Sequence, residues 1–222
     1  MPYKSLKEYD IPTNRFLEKT ISKSQRCQRN WDLTKSIPIE DIKTLKTSIT
    51  DCSSKQNKVF YKCKFITNRN VIESLYNLSE GAGYFDKEDN LIKVDKNPQV
   101  LANLVVAFIR DRDPSEKIRN RQERKNGRFT NNNTKLGGRD ENIALGIAAG
   151  YLTLTANMLG YSSGCCQCGD PLKMAKILDE ESPVLLLMGI GFPNQNISRL
   201  EHHVTGRRFY SFNKNIIVDD VV

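Results

Sequence analysis

The sequence predicts one α+β domain spanning residues 1–222. Three observations carry that expectation. From Asn142 to Gly169 there is no charged side chain, in a chain that is 27% charged. Within that block, apolar residues from Ile143 to Leu159 cover nearly every face of a helix, the pattern of a helix surrounded by protein. The run "SPVLLLMGIGFP" (182–193) is continuously apolar, as a central strand is. Amphipathic helical stripes and short alternating stretches fill much of the remainder. A hydrophobic content of 38%, with eight Tyr and nine Phe, is enough for one packed interior and excludes wholesale disorder.

Taken in chain order, residues 14–25 read as an amphipathic helix with Phe16, Leu17 and Ile21 turned inward. A second helix covers 36–49, with Pro38 in its first turn and Ile39, Ile42, Leu45 and Ile49 on one stripe. The polar turn "DCSSKQNK" (51–58) leads into "VFYKCKFIT" (59–67), an alternating strand. "NVIESLYNLSE" (70–80) predicts a helix and "NLIKV" (90–94) a short strand, while "VLANLVVAFI" (100–109) fits a buried strand or a buried helix equally. Residues 110–140 are polar, basic and rich in Asn and Gly, which suits an excursion over a site. Asp140 is placed to cap the uncharged helix, Gly160 to end it at C′, and Asp170–Pro171 to start another. Small residues Ala144, Gly146, Ala148, Ala149 and Gly150 allow a second backbone to come close. "RRFYSF" (207–212) and "NIIVDDVV" (215–222) are strand-like.

The net charge of +8 attracts anions without choosing among nucleic acid, acidic lipid and a phosphorylated cofactor. The basic 110–140 stretch lacks aromatic interleaving beyond Phe129, so a base-stacking platform is not expected. Glycine, threonine and asparagine dilute the uncharged block, which argues against a membrane span. "MPYKSLKEYD" shows no apolar signal region, so a cytoplasmic location is the expectation. The six cysteines are then expected as reduced, compact side chains. Cys165 and Cys168 form a C-x-x-C, yet no second pair answers it. His202 and His203, being adjacent, are expected to point apart, so no metal site is predicted. A Gly-rich loop running into a helix start does present backbone N–H groups in one direction, suiting an electron-rich ligand atom.

Three pieces then fall in a recognisable order: "RCQRNW" (26–31), "IPIEDIKTL" (37–45) and "SSKQN" (53–57) ahead of a strand. This resembles the opening of the flavin-dependent nitroreductase family, roughly R-x-S-x-R/K-x-F, a Pro-led helix, then P-S-x-x-N. "ENIALGIAAGYLTLTANMLGYSSG" resembles that family's central helix and "VLLLMGIGFP" its following strand, so the resemblance spans about residues 20–212. Here Cys27 stands on the family's serine, Arg29 on its second basic position, and Gln25, not Arg26, on its first arginine. Ser53 replaces the proline, leaving Ser54 and Asn57 as the matching pair, and "VFY" replaces Gln-Pro-Trp.

The resemblance implies a nitroreductase-like fold, with a central, mainly antiparallel or mixed sheet flanked by helices, in an intertwined homodimer. It implies bound FMN, with residues 213–222 reaching onto the partner and 110–140 as lid or substrate-side lobe. Arg26 and Arg29 from one end, with Arg207 and Arg208 from the other, would hold the phosphate, since guanidinium forks suit its oxygens, and Cys27 would lie among the cofactor-binding residues. Ser54 and Asn57 would meet the pyrimidine edge. Backbone amides among Cys166, Gln167 and Cys168 would face flavin N5 and O4, where negative charge grows on reduction. The implied reaction passes electrons from NADH or NADPH through flavin N5 to an electron-poor nitroaromatic or quinone. No side-chain acid or base is needed, as the cofactor carries the chemistry. The alternatives are a basic nucleic-acid-binding protein and a different flavin chemistry on the same fold.

Overall fold

A computed structural model describes residues 13–57, 59–81, 83–88, 90–111, 136–203 and 205–209. The expected C-terminal extension at 213–222 and most of the expected lobe at 110–140 lie outside the described residues. The elements are α1 (Thr13–Ser24), α2 (Ile39–Thr50), β1 (Tyr61–Ile66), α3 (Arg69–Leu78), β2 (Gly83–Phe85), β3 (Leu91–Val94), β4 (Leu104–Arg110), α4 (Leu136–Met158), β5 (Ser162–Cys166), α5 (Pro171–Ile177) and β6 (Val184–Gly191).

Four strands form one antiparallel sheet in the order β1-β4-β6-β5, and β2 pairs with β3 as a separate hairpin. The ambiguous 100–109 stretch divides. Pro98–Leu101 is a 3₁₀ turn whose first free amide, that of Gln99, donates to Asn97 Oδ1 at 3.0 Å, and β4 follows. Asn103 stops the turn from continuing as helix. Its Nδ2 donates to the Asp32 and Lys35 carbonyls at 2.8 Å, and its Oδ1 accepts from Phe192 N at 3.1 Å.

From Leu104 to Ile109 β4 is apolar because both of its faces are covered. Val106 and Phe108 enter the cluster that holds Leu45 of α2 and Ala148 and Leu152 of α4. Val105, Ala107 and Ile109 point the other way, to Ile72 and Leu75 of α3 and Met174 and Ala175 of α5. Side chains alternate across a strand, so two layers of helices leave no polar side.

α4 begins at Leu136, four residues before the expected cap, and the Asp140 carboxylate instead meets Lys55 Nζ at 2.9 Å. Its end is as expected: Tyr161 N donates to Ala156 O (2.9 Å) and Gly160 N to Asn157 O (3.1 Å), with Gly160 at φ +92°. The helix is not covered all round by the described residues. Ala144, Ala148, Leu152 and Ala156 face the core, but Ile143 and Tyr151 are about half exposed, and nothing lies within 4 Å of a Cβ at Gly146 or Gly150. On α1, Phe16 and Ile21 are likewise exposed, against expectation, and Thr20 is the buried position. The helix leans on α4 through a narrow strip and leaves its apolar stripe open. Among the described residues no helix is long and apolar enough to cross a membrane.

Candidate functional site

The segment after α1 is laid against the sheet edge. Arg26 N closes the helix on Lys23 O (3.0 Å), then Gln28 N donates to Ser163 O of β5 and Asp32 N to Phe192 O, both at 2.8 Å. Trp31 bridges Pro193, and its Nε1 donates to Pro98 O at 2.9 Å. A side chain at position 164 would block this approach, because a Cβ there would stand 2.6 Å from Gln28 O. Close docking brings Cys27 near enough to Cys165 to raise the pKa of the Cys165 thiol.

The loop after β6 is carried to the same place. Asn30 Nδ2 donates to both Ser198 O and Glu201 O at 2.6 Å, while its buried Oδ1 has no partner. Arg29, half-buried, lies with Cζ 4.5 Å from the centre of the Phe209 ring. Burial holds its guanidinium below the ordinary arginine range; Cys27 acts in the opposite sense, and the charge of Arg199 adds to the lowering. Arg29 therefore sits in the field of a second cation.

The other expected arginines have surroundings of their own. Arg207 Nη1 donates to Gly83 O of β2 at 2.9 Å. Arg208 is exposed, its backbone bridged to Glu201. Arg26 is exposed beside Lys19 and Lys23. Arg199 was not anticipated from sequence. The only signal for it was its place in a polar loop leaving the apolar central run, where binding residues collect. His202 and His203 also depart from expectation: their rings stack, with centroids 4.8 Å apart and planes at 21°. A tight turn in which Gly206 N donates to His202 O at 2.9 Å folds the two side chains over one another.

On the β5 side, the ladder to β6 ends at Cys166, opposite Leu187, so the N–H groups of Gln167 and Cys168 lie beyond the sheet register. Gly169 takes φ +108°, and a Cβ there would run into the Leu78 carbonyl. Asp170 then caps α5, accepting from Leu172 N and Lys173 N at 2.9 and 3.1 Å. The cysteines were expected to be free and compact. Cys27, Cys52, Cys63 and Cys165 are free, but Cys166 and Cys168 are disulfide-bonded, with Cα atoms 5.4 Å apart. Strand alternation explains the choice: Cys166 points inward to the α5 side, and Cys165 points to the opposite face.

On that opposite face a groove of about 470 Å³ opens between α1 and α4, bounded by Ile21, Gln25, Gly150, Thr153 and Cys165. Its size falls within the roughly 300–1,000 Å³ typical of small-molecule sites. Gln25, on the family's first arginine position, is part of its wall. Crowding by its neighbours and the nearby Cys27 push the Cys165 thiol up to about 11, against a hydrogen bond with Thr153 that pulls it down. Because the thiolate is the nucleophile, exposed Cys165 should be slow toward iodoacetamide at neutral pH, its rate climbing with pH through about 11. Rapid modification at pH 7, read by peptide mass, would show that the thiol is not held protonated.

Ser54 and Asn57 sit elsewhere. Ser54 precedes the 3₁₀ turn Lys55–Asn57 and Asn57 ends it, with φ 53° and its N donating to Ser54 O at 3.3 Å. That turn precedes β1, whereas Cys166–Cys168 leaves β5, so they belong to opposite edges of the sheet. Among the described residues no group of three His, Cys, Asp or Glu is arranged to hold a metal ion.

No protein-family model and no curated protein sequence matches the chain. Solved structures do. A nitroreductase family protein from Streptococcus pneumoniae superposes with a TM-score of 0.62 at 17% identity, covering 92% of this chain and 100% of that one. A protein from Exiguobacterium sibiricum, assigned as a nitroreductase and crystallised with FMN, gives 0.59 at 19% identity, covering 81% and 90%. An FMN-dependent nitroreductase from Clostridium difficile gives 0.53 at 15% identity, covering 78% and 86%. The chain has the nitroreductase fold. At these identities the likeness is one of architecture: the nitroreductase fold accounts for the antiparallel sheet and the long α4. The chemistry has to be argued from the groove and the residues around it.

Proposed function

We propose that this chain binds FMN in a homodimer and moves electrons from NADH or NADPH to an electron-poor acceptor such as a nitroaromatic or a quinone. The observation that carries the reading is the half-buried Arg29, set in the field of Arg199 on a segment docked beside the Cys165 groove. A partly desolvated guanidinium in the field of a second cation is stabilised by an anion, and a phosphate monoester matches its forked donors. Arg26 and Arg208 are the exposed cations that can add to that field. Arg207 would join only on leaving the Gly83 carbonyl.

The remaining donor set suits the rest of the cofactor. Gln167 and Cys168 offer N–H groups beyond the β5 ladder for the electron-rich edge of the ring. Asn30 Oδ1, a buried acceptor without a partner, suits a hydroxyl of the ribityl chain. Once bound, FMN would supply two-electron chemistry; the protein's part is to orient the ring, shield one face and favour charge at the edge facing residues 166–168. Cys27 stands at the junction of phosphate and groove as a compact side chain.

The second protomer enters for two reasons. Ser54 and Asn57 lie at the sheet edge away from β5, so a partner's 54–57 turn is the route by which these residues reach the ring. The open apolar stripe of Phe16, Ile21, Ile143 and Tyr151, with Gly146 and Gly150 uncovered, also calls for a covering surface.

The test is direct. The purified protein, incubated with FMN and desalted, should retain a yellow chromophore that NADH or NADPH bleaches without oxygen. A colourless chain refutes the reading, and salt-sensitive DNA binding by that chain would support the nucleic-acid alternative. Arg29→Ala should weaken FMN binding by about 1.5–3 kcal/mol, roughly ten- to 150-fold, the value of a hydrogen bond to a charged group. Arg29→Lys should recover only part of that loss.

A further inference from the structure

The Cys166–Cys168 bridge lies behind the turn just assigned to the flavin edge, and nothing in the proposed reaction uses it. We propose that it is a reversible disulfide that sets the direction of the Gln167 and Cys168 N–H groups, making this edge of the site redox-sensitive; the flavin part of the proposal rests on the FMN reading above. A bridge between residues two apart closes a small covalent ring, and both peptide nitrogens, of Gln167 and of Cys168, lie inside it. While the ring is closed, neither peptide plane can turn independently.

The turn is also tethered at both ends. Cys166 is buried and registered against Leu187, and Gly169 and the Asp170 cap fix the exit into α5. Cys168 Sγ accepts from Asn97 Nδ2 at 3.1 Å, and Asn97 in turn holds the Pro98–Leu101 turn. What stays adjustable between these tethers is the pair of peptide planes that the bridge controls. A loop this short removes little chain entropy on closure, so the bridge acts on local geometry more than on global stability.

Opening consumes two electrons and two protons. A thiolate of an external dithiol attacks Cys168 Sγ, the half-buried sulfur, since Cys166 is buried. The S–S bond breaks, and Cys166 leaves as a thiolate and takes a proton. The second thiol of the reductant then displaces Cys168, which also ends as a thiol, and the reductant is left as its own disulfide.

Three measurements on the full chain test this. Alkylation under denaturing conditions followed by intact mass should label four of the six cysteines before dithiothreitol and all six after it. Six labels without reductant would overturn the bridge. Amide hydrogen exchange at Gln167 and Cys168 should quicken on reduction while α4 is unchanged; unaltered exchange would overturn the positioning role. FMN affinity should fall about tenfold on reduction, the loss of one aimed hydrogen bond. Cys166→Ser and Cys168→Ser should each bind FMN like the reduced protein and no longer respond to dithiothreitol. The comparison of wild type with and without reductant needs neither variant to fold. If no FMN binds yet thiol count and exchange respond, the flavin reading falls and the bridge stands. If FMN binds and neither responds, the bridge proposal alone falls.

Discussion

Phe108→Ala lowers the unfolding free energy by about 3–5 kcal/mol, the range for truncating a fully buried aromatic side chain. Phe108 lies on β4, between Cys63 of β1 and Leu186 of β6, and is wholly buried. Its ring meets Tyr61 edge to face, with centroids 5.2 Å apart, and shares a cluster with Leu45, Leu152 and Met188 from three further elements. Because these neighbours come from both the sheet and the α2–α4 layer, they cannot collapse together into the space left behind. Against a typical total of 5–15 kcal/mol, the loss is a large fraction. Urea unfolding followed by circular dichroism should show a lower midpoint with an unchanged slope. A loss below about 1 kcal/mol would mean that the site relaxes freely, contrary to close packing. Phe108→Leu, which keeps most of the volume, should cost far less.

The sheet's interior was legible because burial writes itself into composition. The 182–193 run sits between two neighbouring strands as β6, and the 36–49 stripe buries Ile42, Leu45 and Ile49, while Ile39, expected on the same stripe, is exposed in the first turn of α2. Asp170 and Pro171 open α5 because short-range capping chemistry is local and can be seen in two residues. Other features depend on partners distant in sequence. Phe16 and Ile21 look inward by period, but which face of α1 is covered depends on where α4 lies. The same limit applied to the site. The N-terminal segment's place beside β5 follows from the close approach at Gly164 and the hydrogen bonds of Asn30, whose partners lie far away in sequence, and Arg199 is selected by the path of a loop. The bridge shows a further limit: C-x-x-C spacing drew attention to Cys165 and Cys168, yet alternation along β5 turns Cys165 away and leaves Cys166 facing Cys168.

Gly164→Ala should uncouple the site from the fold. The added Cβ would stand 2.6 Å from Gln28 O and 3.1 Å from the Gln99 side chain. Gln99 can shift, but a backbone carbonyl held by the neighbouring Gln28 N to Ser163 O bond can yield only if the segment moves. Overpacking of this kind costs about 1–3 kcal/mol. The larger consequence falls on residues 26–32, which must lift from β5 and draw Cys27 and Arg29 away from Cys165. On the FMN reading, affinity then drops by more than the stability loss alone would produce, because phosphate and ring contacts lose their common frame. Gly146→Ala is the control: nothing lies within 4 Å of its Cβ, and replacing a mid-helix glycine stabilises by about 0.5–1 kcal/mol. If a second protomer packs closely on that face, the same change instead weakens association, which sedimentation at varied concentration would detect. Equal FMN affinity in Gly164→Ala and wild type would show that docking against β5 does not hold the ligand, and would remove Arg29 from the site.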